Sequence, residues 1–210
     1  MKDTGYGTAP ESMRDKILKE ALRLFSERGF EGTSLQCIAD AVGIQKPSLI
    51  YHFSSKEVLR QEVVESLVVY WKNELPRMLT ASASEPDQLV STMNALLNFF
   101  LEDVHRARLV LREILDRPSQ TFDLLREHVS PWTKLIGEYL RMGQQSGVYR
   151  KEVDSDAYIV QVMVMVVGAV AMGSVTSGLV NTTDDVTRKP LIKELVRIVQ
   201  SSLYVDSPTS

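Results

Sequence analysis

Side chains that could bind a phosphate or a base edge are concentrated in one short segment, KPSLIYHFSSKE, at residues 46–57. Two apolar residues of this segment, Leu49 and Phe53, have the spacing of a helix face that packs on a core. The side chains left on the outward arc are those of Lys46, Ser48, Tyr51 and His52. An ammonium, a hydroxyl, a phenol and an imidazole can all meet phosphates or base edges. The segment therefore predicts a local nucleic-acid-binding surface, although Tyr51 and His52 also suit an ordinary surface of a helical hairpin.

The end of the segment predicts the start of another helix. Ser54 and Glu57 have the spacing of a capping box. The first turn of a helix presents free N–H groups and the positive end of the helix dipole, which together bind anions. Because Lys56 adds a formal charge there, we expect Lys56 to bind a further phosphate.

The elements before the segment predict how it is positioned. A supporting helix is expected over residues 11–28, ended by Gly29. A short second helix is expected to open at Thr33, whose hydroxyl would cap it with Gln36 as capping-box partner, and to end at Gly43. The helix of the polar segment follows directly. Two short helices joined by a glycine-containing turn form a helix-turn-helix, which lays its second helix in the major groove of DNA.

The rest of the chain also has helical apolar spacing, and no stretch alternates long enough to predict a sheet. The expected fold class is all-α with about nine helices. We expect an N-terminal helix-turn-helix DNA-binding domain at residues 1–54 and a larger helical domain at residues 55–210. The further predicted helices cover residues 55–76, which link the domains, and then 86–103, 105–117, 120–146 with a bend or break at Pro131, 155–180 and 188–204.

Composition limits the function classes. The 210 residues carry a formal net charge of -3, so nucleic-acid binding has to come from a local patch. Cys37 is the single cysteine, which forbids an intramolecular disulfide, and the polar N-terminal residues lack the apolar stretch of a signal peptide. Both observations predict a cytoplasmic protein. Near a helix N-terminus, Cys37 is either a redox-sensing thiolate or, as we favour, a small residue filling a helix interface.

One long segment between Asp156 and Asp184 carries no charged residue. It is long enough to span a bilayer, so a membrane-associated helical protein is the alternative class. Gln161, polar residues near its end and acidic flanks favour a buried helix instead. Within it, small residues four apart form a low ridge that lets another helix approach closely.

Residues 17–59, ILKEALRLFSERGFEGTSLQCIADAVGIQKPSLIYHFSSKEVL, resemble the DNA-binding domain of the TetR (tetracycline-repressor-like) transcriptional regulators. The matching positions are Ala21, Leu24, Phe25, Gly29, Phe30, Thr33, Ile38, Ala39, Gly43, Leu49, His52, Phe53, Lys56 and Glu57. The resemblance implies a dimer that binds double-stranded DNA at a palindromic operator, with a variable C-terminal domain for ligand binding and dimerisation. It places DNA contacts at Thr33, Lys46, Ser48, Tyr51, His52 and Lys56. Gln45 and Ile50 also fall in the contact region, but they replace the family's usual capping serine and phosphate-binding tyrosine.

The resemblance also implies a small-molecule effector bound among the helices of the second domain. Large, adaptable apolar side chains there suit a hydrophobic or aromatic ligand, although for any single one of them we favour a plain core position. The candidate pocket residues are Met78, Met93, Leu97, Phe100, Phe122, Trp132, Tyr139 and Met163. In the resembled family the last two helices pair with their copies, which predicts a homodimer interface at Ala169, Gly173, Ser177, Leu195 and Ile198.

Enzyme classes lack support in the sequence. The chain contains neither a G-x-S-x-G nor a G-x-x-x-x-G-K-[ST] run, so no catalytic residue is predicted. His105 and His128, taken with Glu113 or Asp116, match no compact metal motif. We therefore expect no metal and no cofactor.

Overall fold

The computed structural model describes residues 12–81, 88–179 and 188–205. These residues form eleven α-helices and no strand, which confirms the all-α prediction. The helices are α1 (Met13–Arg28), α2 (Leu35–Val42), α3 (Lys46–His52), α4 (Lys56–Ala81), α5 (Gln88–Glu102), α6 (Val104–Asp116), α7 (Pro118–His128), α8 (Ser130–Gln145), α9 (Ser155–Ala171), α10 (Gly173–Leu179) and α11 (Arg188–Leu203). The chain divides into two compact units, one ending at Ser66 and the other beginning at Leu67.

The first unit is built on α1. A capping box starts this helix, because the Ser12 hydroxyl accepts from the Asp15 amide while the Asp15 carboxylate accepts from the Ser12 amide. Gly29 ends it with a φ of 75°, a backbone conformation that side chains disfavour. The core-facing side chains are Ile17, Ala21, Leu24 and Phe25, as the apolar spacing predicts.

The cap of α2 differs from the prediction by one residue. The Ser34 hydroxyl accepts from the Cys37 amide at 3.1 Å, and the helix begins at Leu35. Thr33 does not cap it, because its hydroxyl donates to the carbonyls of Leu24 and Gly29 at 3.2 and 2.8 Å. Thr33 thus binds carbonyls in the last turns of α1 and just beyond its end.

The start of α4 is shifted in the same way. The Ser55 hydroxyl, rather than that of Ser54, accepts from the Val58 amide, at 3.2 Å. The helix then runs to Ala81, beyond the predicted end near residue 76. Leu59 and Val63 are buried and attach its first turns to the first unit.

In the second unit, two long predicted helices are each divided in two. The predicted break near Pro131 is confirmed: α7 and α8 are separated at Val129, and Pro131 lies in the first turn of α8, where its missing N–H has little cost. The predicted helix over residues 155–180 is wrong in one respect, because it breaks at Met172 into α9 and α10. Arg108 of α6 stabilises this break by donating to the Ala171 carbonyl and the Ser174 hydroxyl, each at 3.3 Å.

The same break bears on the membrane alternative. It leaves α9 with 17 residues. In the described ranges no helix is long and apolar enough to cross a membrane.

The ends of α8, α9 and α11 share an apolar cluster of Leu140, Tyr149, Ile159 and Leu203. A Cβ at Gly143 would overlap the Tyr149 ring, so glycine is required for this close approach. The Tyr158 hydroxyl donates to the Val199 carbonyl at 2.6 Å and joins α9 to α11. These contacts hold α9 and α11 side by side.

Candidate nucleic-acid interface

The recognition surface is carried by α3, whose inner face is fixed by two fully buried side chains. Leu49 and Phe53 are both 0% exposed, which confirms the predicted inward pair. Gln45 precedes the helix with extended backbone and makes no side-chain cap hydrogen bond. Pro47, in the first turn, removes one of the amides that a cap would otherwise have to satisfy. A seven-residue helix is thereby held rigidly with its outer face in solvent.

The outer face of α3 presents the predicted polar arc. Tyr51 is 88% exposed, and its ring meets the half-buried ring of His52 edge to face at 5.6 Å between centroids. Ile50 contributes an exposed apolar side chain next to them. Also exposed are the side chains of Gln45, Lys46 and Ser48. Six of the eight predicted contact residues are therefore gathered on or beside one short helix.

The other two predicted contact residues lie differently. Thr33 is only 1% exposed, so its side chain is not on the surface. Lys56 is half-buried, and its ammonium donates to the carbonyls of Phe30 and Thr33 at 2.8 and 3.0 Å. The same nitrogen lies 4.0 Å from the centroid of the Phe30 ring. The family resemblance places both residues at DNA, and these intramolecular partners have no signature in the sequence.

The described effector candidates differ in their exposure to solvent. Met93, Leu97 and Phe100 are buried, whereas Phe122 is 61% exposed on α7. The remaining described candidates, Trp132, Tyr139 and Met163, are half-buried, and the last two pack on the apolar cluster, while the side chain of Met78 lies outside the described residues.

A cavity of about 160 Å³ lies elsewhere in the second unit, between α5, α9, α10 and α11. Its lining residues are Leu101, Ala169, Val170, Gly173, Thr176, Leu191 and Ile192. None of the eight pocket candidates is among them. The small residues Ala169 and Gly173 line this cavity, whereas their spacing in the sequence predicts a dimer interface.

The described dimer candidates divide between interior and surface. Ala169 and Gly173 face the cavity within one chain, and Leu195 is buried, whereas Ile198 is exposed. The side chain of Ser177 lies outside the described residues. Five other apolar side chains of the uncharged segment are exposed: Val160, Val164, Met172, Val175 and Leu179. We call these five residues the apolar face.

Two further sequence hypotheses concern reactive groups. Cys37 is half-buried, and the Arg28 guanidinium donates to its sulfur at 3.1 Å. In the described part of the chain, no group of three or more histidine, cysteine, aspartate or glutamate side chains is placed to hold a metal ion.

Comparisons with known proteins agree with the geometry of the first unit. Residues 17–63 match the family model described as bacterial regulatory proteins, tetR family. The chain is 28% identical over 149 residues to the HTH-type transcriptional repressor KstR2 of Mycolicibacterium smegmatis, covering 70% of this chain and 72% of that one. It is 46% identical over 61 residues to IcaR of Staphylococcus aureus, a negative transcriptional regulator of the biofilm operon icaADBC. That second match covers 29% of this chain and a third of IcaR.

Solved structures extend the likeness to the whole fold. The ketosteroid transcriptional regulator KstR2 of Mycobacterium tuberculosis superposes with a TM-score of 0.75 over 95% of this chain and 98% of that one, at 22% identity. The hemolysin II transcriptional regulator HlyIIR gives a TM-score of 0.67 over 94% and 100%, at 23% identity. The DNA-binding unit at residues 17–63 thus matches the TetR family of bacterial regulatory proteins, and the chain as a whole is similar in fold to transcriptional regulators.

Proposed function

We propose that this protein is a repressor that binds a palindromic operator as a homodimer and is released by a small, largely apolar effector. The observation that carries the proposal is α3, a short helix anchored by Leu49 and Phe53 with a polar arc in solvent. KstR2 and IcaR are both named as negative regulators, which supports repression. The family is regulatory, and catalysis forms no part of the proposal.

The side chains of α3 suit distinct roles in a major groove. Lys46 supplies a charge for the phosphate backbone, which is the sequence-independent part of affinity. Tyr51 and Ser48 carry hydroxyls for phosphates or base edges, and Gln45 carries an amide suited to adenine. Ile50 is suited to contact a thymine methyl group. We assign these five residues and His52 to the operator contact.

Dimerisation is assigned to the apolar face. Contiguous exposed apolar residues on a protein surface mark interaction sites. Val160 and Val164 lie one turn apart on α9, and the exposed Ile198 lies on α11, which packs beside α9. A two-fold contact between copies of these helices would cover all three side chains.

Selection of bound fragments from random DNA tests the whole proposal. The enriched sites are expected to be palindromes whose half-site centres lie about 34–36 Å apart, one helical turn of DNA or a multiple of it, because each protomer presents one α3. Enrichment of single, unrepeated half-sites would rule out the dimeric mode. No enrichment over the input library would contradict sequence-specific binding.

The cavity between α5, α9, α10 and α11 is our candidate effector site. Of its seven lining residues, five have apolar side chains, Gly173 has none, and Thr176 carries a hydroxyl. A cavity of about 150 Å³ in another protein accommodates benzene, so this one fits a compact, uncharged group of similar size. An effector can shift the protein between states only by as much as its affinity for them differs.

Filling the cavity tests the site. Ala169→Leu adds a branched side chain to its lining, so effector binding is expected to be lost while operator binding is kept. Small uncharged aromatic compounds that raise the Tm of the native protein and weaken its operator binding should do neither with this variant. Ala157→Leu, the same change at an exposed position of α9, is the matched control. An Ala169→Leu protein that still responds to the compounds would place the effector site elsewhere.

A further inference from the structure

The ammonium of Lys56 occupies a built site inside the first unit. Lys56 is the first residue of α4, and it reaches back to the turn between α1 and α2. There it donates to the Phe30 and Thr33 carbonyls at 2.8 and 3.0 Å and lies 4.0 Å from the centroid of the Phe30 ring. Two charge-assisted hydrogen bonds and a cation–π contact thus hold one half-buried side chain.

The position of this charge is otherwise unfavourable. A cation at a helix N-terminus is repelled by the positive end of the helix dipole. The carbonyls of Phe30 and Thr33 offset that repulsion, because they supply partial negative charge directly to the ammonium. Moving the ammonium to a DNA phosphate would break these bonds and leave two carbonyls to be solvated again.

The turn between α1 and α2, to which the Lys56 ammonium donates, also determines where α2 begins. The Thr33 amide donates to the Phe30 carbonyl at 3.2 Å, and the next residue, Ser34, caps α2. Lys56 therefore connects the first turn of α4 with the N-terminus of the first helix of the helix-turn-helix.

A second link holds the same part of α4 to α1. Arg14 pairs with Glu62, and its guanidinium lies 5.1 Å from the centroid of the Phe53 ring. Phe53 directly follows α3 and is fully buried. The first turns of α4 are thus tied to both sides of the helix-turn-helix, at the turn before α2 and at the residue after α3.

We infer that Lys56 is a positioning residue for operator binding, which fixes the helix-turn-helix to α4 and neutralises no phosphate. The inference rests on the proposed operator binding. Without the ammonium, the binding-competent arrangement is populated for only a fraction of the time, and the apparent operator affinity falls by that fraction.

Lys56→Met in the full-length chain tests the inference, since methionine is similar in length and carries no charge. Operator Kd is measured across salt concentrations, with the active fraction determined by titration at high protein concentration. We expect Kd to rise about tenfold with an unchanged slope of log Kd against log salt concentration. Lys46→Met should instead reduce that slope by about 1.8, because the dimer loses one phosphate contact in each protomer, at about 0.9 for each contact. Lys151→Met, an exposed position in the second unit, should change neither quantity.

Rescue by the conservative variant completes the test. Lys56→Arg retains the charge, can donate to both carbonyls and can stack on Phe30, so its Kd is expected within about threefold of native. A salt slope reduced in Lys56→Met as in Lys46→Met would make Lys56 a phosphate ligand and overturn the inference. Unchanged affinity in Lys56→Met, or an arginine variant that binds no better than the methionine variant, would also overturn it. Failure of the native protein to bind any operator would instead refute the proposed function.

Discussion

Replacing Val164 by aspartate is expected to convert the homodimer into monomers and to weaken operator binding by about a hundredfold or more. Val164 is 61% exposed in the single chain and lies on an apolar surface. In a two-fold interface the substitution acts twice, because each copy buries the new carboxylate against the other. An unpaired buried charge is strongly destabilising. Two half-sites engaged together bind far more tightly than one, so the loss of the dimer is transmitted to DNA.

Two control variants make the Val164 result specific. Leu135→Asp places the same charge at an exposed leucine of α8, outside the apolar face, and should remain dimeric. Gly173→Leu alters the cavity lining within one chain and should also remain dimeric, contrary to the interface that the sequence predicts. Sedimentation and a gel shift on the same samples distinguish these results. A dimeric Val164→Asp protein with monomeric Gly173→Leu would restore the small-residue ridge as the interface.

The helices of the first unit could be predicted from the sequence because the residues that determine them are close together in the chain. Leu49 and Phe53 are four residues apart, and helix periodicity alone places them on one face. The errors there are shifts of one residue at adjacent hydroxyls, Thr33 with Ser34 and Ser54 with Ser55. Either hydroxyl of a pair can cap in principle, so sequence spacing alone does not choose between them. Thr33 is diverted from capping by the carbonyls of the preceding helix.

The second unit was less predictable for two reasons. Some of its contacts join residues far apart in the sequence, and α9 has no polar face to indicate its orientation. The break at Met172 is stabilised by Arg108, 63 residues away from the Ala171 carbonyl that it binds. Every face of α9 is apolar, so periodicity cannot separate the side that lines the cavity from the side that is exposed. Val164 and Ala169 are therefore distinguished only by the fold. The same limit applies to Lys56, whose partners are backbone carbonyls and have no sequence signature.

Tyr51→Ala is expected to weaken operator binding at least about tenfold and to relax preference at one or two base positions, because a side chain that reads a base edge contributes about 1–3 kcal/mol of discrimination. Tyr51 is 88% exposed, so removal of its ring leaves no cavity in the protein. Its contact with His52 is edge to face at the surface, and Leu49 and Phe53 still anchor α3. The unfolding free energy should therefore change little, and the loss should be confined to the complex with DNA.

Tyr51→Phe separates the hydroxyl from the ring. If the hydroxyl donates to a base edge, the phenylalanine variant should lose the same base preference as alanine while retaining part of the affinity through the ring. Both variants are compared with the native protein by measuring affinity across a library of single-base operator changes at fixed salt. Equal loss on every operator in the library would make Tyr51 a phosphate ligand, since phosphate contacts carry no direct sequence information. Native affinity and preference in Tyr51→Ala would remove the residue from the contact surface and leave Lys46, Ser48, Ile50 and His52 as the side chains of α3 that meet DNA.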